Sequence, residues 1–162
     1  MLEIRRIKPD EWEAARYLVY RVAHHIFHET RPLEEAITDF DSRGELDDMK
    51  DIQAGYFENS GVFLVMTENE EIIGTGAIRK YAGNVCELKR LWFLSSYHGR
   101  GLGYRMIQEL FSIAREMGYT KIRLETDPIA QKRAYDLYKR IGFRDLHLDP
   151  DDMEDMLMEM DL

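Results

Sequence analysis

A strand-like run from Leu88 to Leu94 leads into Tyr97-His98-Gly99-Arg100-Gly101-Leu102-Gly103, and an amphipathic helix opens directly behind it. This stretch constrains the chain more than any other, because the backbone must turn tightly between a buried strand and a helix. Glycines at alternate positions allow the turn and expose a row of N–H groups with no Cβ in the way. The helix start adds unsatisfied donors and about half a positive elementary charge. Together they form a site for an anion such as a pyrophosphate, so the sequence points to a phosphate-bearing cofactor. A P-loop would need Gly-Lys-Ser/Thr after the last glycine, where Tyr104-Arg105-Met106 stands. A dinucleotide fingerprint would need a small residue at position 104 and serial βαβ units, and the chain has neither. A turn that begins a helix without binding anything stays open as the bland reading.

Composition removes other classes. A chain of 162 residues with 44% hydrophobic content can bury a core of its own and fits one domain, 1–162. The net charge of −9 argues against a nucleic-acid partner held by phosphate neutralisation. One cysteine, Cys86, excludes an intramolecular disulfide. No apolar stretch reaches membrane-span length and Met1 to Pro9 lacks a signal-peptide core, so no membrane partner and a cytoplasmic location are expected. A homodimer is compatible with the sequence.

Periodicity places a first strand at Leu2 to Ile7, with Leu2, Ile4 and Arg6 on one face. Pro9-Asp10-Glu11 opens a helix running to about Phe27. The charged segment 28–60 reads less plainly, with helical stretches at Pro32 to Phe40 and Asp47 to Phe57. Strands follow at Val62 to Met66, Ile72 to Arg79 and Val85 to Leu94, with turns at 68–71 and Gly83-Asn84. A helix from Leu102 to Met117 ends at Gly118, and Thr120 to Thr126 is a strand. Asp127-Pro128 is read as the cap and first position of a helix ending at Gly142. Two late strands are expected at Phe143 to Leu148 and Met153 to Met160. The order is β-α-α-β-β-β-α-β-α-β-β.

In this order the chain resembles the GCN5-related N-acetyltransferase (GNAT) family, most strongly from Val85 to Phe143. The family signature is Gln or Arg, two residues, Gly, one residue, then Gly or Ala. Gly101 and Gly103 fill the small positions, and His98 stands where Gln or Arg is usual. The second signature appears as Leu137-Tyr138-Lys139-Arg140-Ile141-Gly142-Phe143, while Gln131 replaces a frequent Asn. The resemblance implies an α/β (α+β) fold with a mostly antiparallel central sheet, two splayed parallel central strands, and flanking helices. It also implies acetyl-CoA (coenzyme A) as co-substrate, with no metal. Pyrophosphate would sit on His98, Gly99, Arg100, Gly101, Leu102 and Gly103. The pantetheine arm would bond to free backbone at Leu91, Trp92 and Phe93 in the manner of an added strand, with Gln131 nearby.

Acetyl transfer to an amine wants a base and an acid. Glu87 lies eleven residues before His98, where relatives with a catalytic glutamate carry theirs. The bland alternative is a solvated glutamate or one paired with Lys89 or Arg90. Tyr138 matches the family tyrosine near the coenzyme A sulfur, and its other role is packing at the margin of the helix stripe. Cys86 and Glu87 are neighbours on a strand and face opposite ways, which disfavours a covalent acyl-enzyme. His24 and His28 have metal-pair spacing but no third ligand. By resemblance, Phe27, His28 and Arg31 are candidates for acceptor binding. The expected function is acetyl transfer from acetyl-CoA to a primary amine in a ternary complex. The alternative is a catalytically silent acyl-CoA-binding sensor or interaction module. Acids crowded between Glu29 and Asp51 suggest a field that favours cationic amines.

Overall fold

A computed structural model describes residues 1–146 and 155–162. Seven strands form one mixed sheet in the order β1-β2-β3-β4-β5-β7-β6. The strands are β1 (Leu2–Arg6), β2 (Val62–Glu68), β3 (Glu71–Ala82), β4 (Val85–Phe93), β5 (Lys121–Thr126), β6 (Arg144–Leu146) and β7 (Met156–Asp161). Every neighbouring pair is antiparallel except β4 with β5. Helices α1 (Trp12–Ile26) and α2 (Leu33–Ser42) precede β2, α3 (Leu102–Glu116) joins β4 to β5, and α4 (Lys132–Ile141) follows β5. The ends of the two late strands expected at 147–148 and 153–154 lie outside the described residues.

Alternation along β2 divides the core in two. Val62, Leu64 and Met66 face a cluster with Met106, Ile107, Leu110 and Phe111 of α3, and with Tyr138 of α4. Phe63 and Val65 face a second cluster with Ala15, Val19 and Tyr20 of α1, and with Met49, Ile52 and Tyr56. The strand is buried on both faces, which is why it reads as a continuous apolar run. Gly76 of β3 allows α3 to lie close, since a Cβ there would come within 2.7 Å of Met106 Cγ.

The sheet opens in its middle. β4 and β5 pair only at Val85↔Lys121, Cys86↔Ile122 and Glu87↔Arg123. Beyond Glu87, β4 continues to Phe93 while Leu124, Glu125 and Thr126 of β5 pair with β7 alone. A bulge drives the divergence: Thr75↔Trp92 gives way to Ala77↔Lys89, so β4 carries one extra residue. Arg90 sits there at φ +56°, an unfavourable conformation for a long side chain. Two contacts hold it. Thr75 Oγ1 donates to Arg90 O at 2.6 Å, and the Arg90 guanidinium binds Asp48 at 2.6 and 3.0 Å.

Several local expectations need correction. Arg6 shares the face of Leu2 and Ile4, opposite Leu64 in the register, but its side chain is exposed where theirs are half-buried. Asp47 to Phe57 is not one helix but a 3₁₀ turn at Asp47–Met49 and a π-helical turn at Gln53–Phe57. Pro9–Glu11 is a 3₁₀ turn, and α1 proper begins at Trp12. Asp127 does cap, its Oδ1 accepting from the N–H groups of Ile129 (2.9 Å) and Ala130 (3.0 Å), but the capped element is only a turn. Gln131 at φ −110°, ψ 38° interrupts the helical path, so α4 begins four residues later than Pro128 suggests.

Candidate functional site

The turn between β4 and α3 is built as an anion cradle. Gly99 (φ +80°) and Gly101 (φ +73°) occupy left-handed conformations, and a Cβ built at either meets nothing within 4 Å. The N–H groups of Gly99, Arg100 and Gly101 donate to no protein acceptor among the described residues. A run of N–H groups without acceptors at a helix start attracts negative charge. His98 braces the turn from within, one ring nitrogen lying 2.8 Å from Phe93 O and its backbone N–H donating to Ser95 O at 3.1 Å.

The cradle opens on a cavity of about 790 Å³. Its walls include Leu91, Trp92 and Phe93 of β4, then His98, Gly99, Gly101, Leu102 and Gly103, and Gln131. Most expected cofactor residues are therefore brought together. Arg100 is absent from the lining because its guanidinium stacks 5.0 Å above the Tyr97 ring. The Phe93 ring packs in the core, so that residue offers chiefly its backbone.

Three cations escaped the sequence reading. Lys132, Arg133 and Arg140 of α4 line the same cavity. The signal was present, since Arg133, Leu137 and Arg140 recur at i, i+4, i+7, the spacing of one helix face. The mixture of charged and apolar residues on that face hid it.

A second cavity, about 540 Å³, is lined by α1, Phe40 of α2, and the diverging strands β4 and β5. Leu91, Trp92 and Gln131 line both cavities, so the two spaces meet where β4 leaves β5. Gln131 is fixed at this junction, its Oε1 accepting from Asp127 N at 3.1 Å and lying 3.4 Å from Thr126 Oγ1. Glu87 and Tyr138 both line the smaller cavity. The Glu87 partner is neither Lys89 nor Arg90 but Arg79, its cross-strand neighbour, whose Nε donates to Oε1 at 2.6 Å. Glu87 Oε2 has no hydrogen bond among the described residues.

Tyr138 is 6% exposed and packs edge-on against Phe143, with ring centroids 5.7 Å apart. It is thus more deeply set than a marginal position on the helix stripe suggests. Burial pushes its hydroxyl pKa well above the ordinary value, so the group remains a proton donor at neutral pH. Cys86 is fully buried with its thiol pushed up to about 12 by desolvation, and it faces the α3 side of the sheet.

The three acceptor candidates part company. Phe27 lines the smaller cavity and His28 the larger. Arg31 lines neither, because its side chain is spent on Glu29 (3.0 Å), Asp39 (3.1 Å) and the Phe40 ring (5.4 Å). His24 accompanies it, with Nε2 2.7 Å from Arg31 O. Among the described residues no group of three or more His, Cys, Asp and Glu is placed to hold a metal, and no helix is long and apolar enough to cross a membrane.

The acids between Glu29 and Asp51 are largely paired. Asp39 meets Arg31 and Arg43, Asp41 meets Arg16 and Lys50, Asp47 meets Lys50, and Asp48 meets Arg90. Only Glu29 and Glu45 of that segment reach the smaller cavity.

The model of the acetyltransferase (GNAT) family matches residues 15–143. The uncharacterized N-acetyltransferase YjgM of Escherichia coli is 32% identical over 97 residues, covering 58% of this chain and 56% of that protein. The chain spans about half the length of the curated relatives it matches. A Staphylococcus aureus acetyltransferase of the GNAT family superimposes with a TM-score of 0.81 at 16% identity, covering 100% of this chain and 99% of the other. The PaiA N-acetyltransferase of Thermoplasma acidophilum, solved in complex with coenzyme A, gives 0.79 at 19% identity with the same coverage. At these identities the structures speak for the fold.

Proposed function

Since the chain belongs to the acetyltransferase (GNAT) family, we propose that it transfers an acetyl group from acetyl-CoA to a primary amine by direct attack in a ternary complex. The observation that carries the reading is the pair of cavities joined at Leu91, Trp92 and Gln131, with the anion cradle in one and Glu87 and Tyr138 in the other.

The residues present fit coenzyme A. Glycines at 99 and 101 leave open space where a Cβ would stand, their N–H groups and that of Arg100 have no acceptor among the described residues, and Lys132, Arg133 and Arg140 add positive charge for phosphates. The unpaired backbone of β4 beyond Glu87 offers donors and acceptors to the amides of a pantetheine arm. When bound, acetyl-CoA supplies an activated acyl carbon on a thiol leaving group. The protein's part is to manage two protons. Glu87, directly or through a water, takes one from the attacking ammonium, and the Tyr138 hydroxyl donates to the departing sulfur. Burial raises the Tyr138 pKa, so its hydroxyl acts as a hydrogen-bond donor to the departing thiolate and not as a strong acid.

The occupied Oε1 of Glu87 keeps one alternative in play, a catalytically silent acyl-CoA-binding module in which the Arg79 pair is purely structural. Thiol release from acetyl-CoA with a mixed amine panel separates the two. Amine-dependent release supports the enzyme, whereas cofactor binding without release across the panel supports the module.

A further inference from the structure

The next step rests on the acetyltransferase reading and concerns the acceptor it takes. Most charges around the smaller cavity already have partners. Glu87 holds Arg79 at 2.6 Å, Glu29 holds Arg31 at 3.0 Å, Arg90 holds Asp48 at 2.6 Å, and Glu45 lies 4.0 Å from Arg43. Asp155 has interactions of its own. Glu125 has no partner among the described residues but is exposed, where water solvates it.

Lys89 is different. It lines the cavity half-buried, with no ion pair or hydrogen bond among the described residues. Desolvation, and then the nearby Arg90, hold its pKa below the ordinary value against the opposing pull of Glu87. An unpaired charge away from water is unfavourable, and an incoming anion would relieve it.

Position adds meaning to the charge. Lys89 and Glu87 are two residues apart on β4, so they share a face with Cα atoms about 7 Å apart. Their opposite charges match a ligand that carries an amine and an acid close together. Apolar side chains share the walls with these charges, among them Val19, Phe27, Phe40 and Trp92, and the volume of about 540 Å³ suits a small molecule. A polyamine would instead set ammonium against ammonium at Lys89.

We propose that the acceptor is an amino-carboxylate with an apolar side group, an apolar α-amino acid in its simplest form, whose carboxylate is held by Lys89 while its amine faces Glu87. This reverses the preference for cationic amines suggested by the acids of 29–51, because those acids are largely consumed in pairs with neighbouring basic residues.

The test compares phenylalanine, phenylalaninamide and phenethylamine as acceptors in the thiol-release assay, with wild type, Lys89→Met and Lys89→Arg. Wild type is expected to favour phenylalanine over its amide by about tenfold or more in kcat/KM, the scale of one charge-assisted hydrogen bond. Lys89→Met should collapse that ratio towards one, chiefly through KM, and Lys89→Arg should restore much of it. A wild-type ratio near one, or a ratio that survives Lys89→Met, overturns the proposal. Calorimetry of phenylalanine binding to the protein saturated with coenzyme A supplies a second readout. If no amine releases thiol but phenylalanine binds and Lys89→Met abolishes binding, the transferase reading fails while the carboxylate site stands. Binding that is absent in wild type, or indifferent to Lys89, sinks the site.

Discussion

Glu87 offers the cleft only part of its carboxylate, since Oε1 is engaged by Arg79 and Oε2 is left for a water or an amine. Glu87→Gln keeps the shape and removes the basicity. Its kcat is expected to fall about 100-fold at neutral pH, the low end of general-base contributions, and to recover partly as rising pH deprotonates the amine unaided. A pH profile of thiol release under conditions where chemistry limits the rate checks this, and wild-type turnover throughout would remove Glu87 from the mechanism. Tyr138→Phe keeps the edge-on contact with Phe143 and deletes only the hydroxyl. We expect kcat to drop about tenfold, the low end for a lost hydrogen bond to a charged group, with coenzyme A affinity unchanged by calorimetry. An equal loss of affinity would instead assign Tyr138 to cofactor packing.

At the scale of elements, the cradle and the bulge make separable demands. Gly101→Val places a β-branched residue at φ +73°, a conformation that disfavours L side chains by about 1–2 kcal/mol, and puts a side chain in the space left open before the helix. Coenzyme A binding by the folded variant is expected to weaken at least tenfold, since phosphate needs close backbone approach. Unaltered affinity would show that the anion lies elsewhere. The bulge depends on Asp48, which binds Arg90 and accepts from the Tyr56 hydroxyl. Burial alone would raise the Asp48 pKa, but the Arg90 hydrogen bond and charge outweigh it and leave the pKa below its ordinary value. A depressed folded-state pKa gives stability that is present above the unfolded value, near pH 4, and lost as pH falls through the folded one. Asp48→Asn should therefore lower stability by about 2–3 kcal/mol at neutral pH, somewhat under the cost of stranding a fully buried charge. It should also flatten the loss of stability below about pH 4, as read from urea unfolding curves across that range. An unchanged acid limb would mean that the pair contributes nothing to acid sensitivity.

Across the whole molecule, three paired residues join the four-strand half of the sheet, β1 to β4, to the three-strand half, β5 to β7. Packing of α3 and α4 over that seam closes the core, and Cys86 lies fully buried in it. With its thiol pushed up to about 12, Cys86 is both hidden and protonated at pH 8. Its labelling by a disulfide reagent is expected to follow global unfolding, with a rate that rises with denaturant as the unfolding rate does. Rapid labelling of native protein would reveal that the β4–β5 seam opens locally, although the cleft beside it is wide.

The sequence by itself determined the element order and the glycine turn before α3. Each rests on chain-local physics, either a periodicity or a backbone that only glycine adopts comfortably. The same reasoning placed Glu87 opposite Cys86 across β4 without any tertiary information. It failed where a residue's role depends on which charge arrives from afar. Arg31 looks available in sequence and is consumed by Glu29 and Asp39. Arg79 reaches Glu87 only through the hairpin register, and Asp48 reaches Arg90 from forty-two residues away. That Lys89 has no partner among the described residues was equally illegible, because pairing and desolvation belong to the assembled cleft, whereas the cations of α4 left a helical spacing to read. Periodicity fixes which face a side chain occupies; only tertiary structure decides what stands opposite it, and a charge takes its energy from that neighbour.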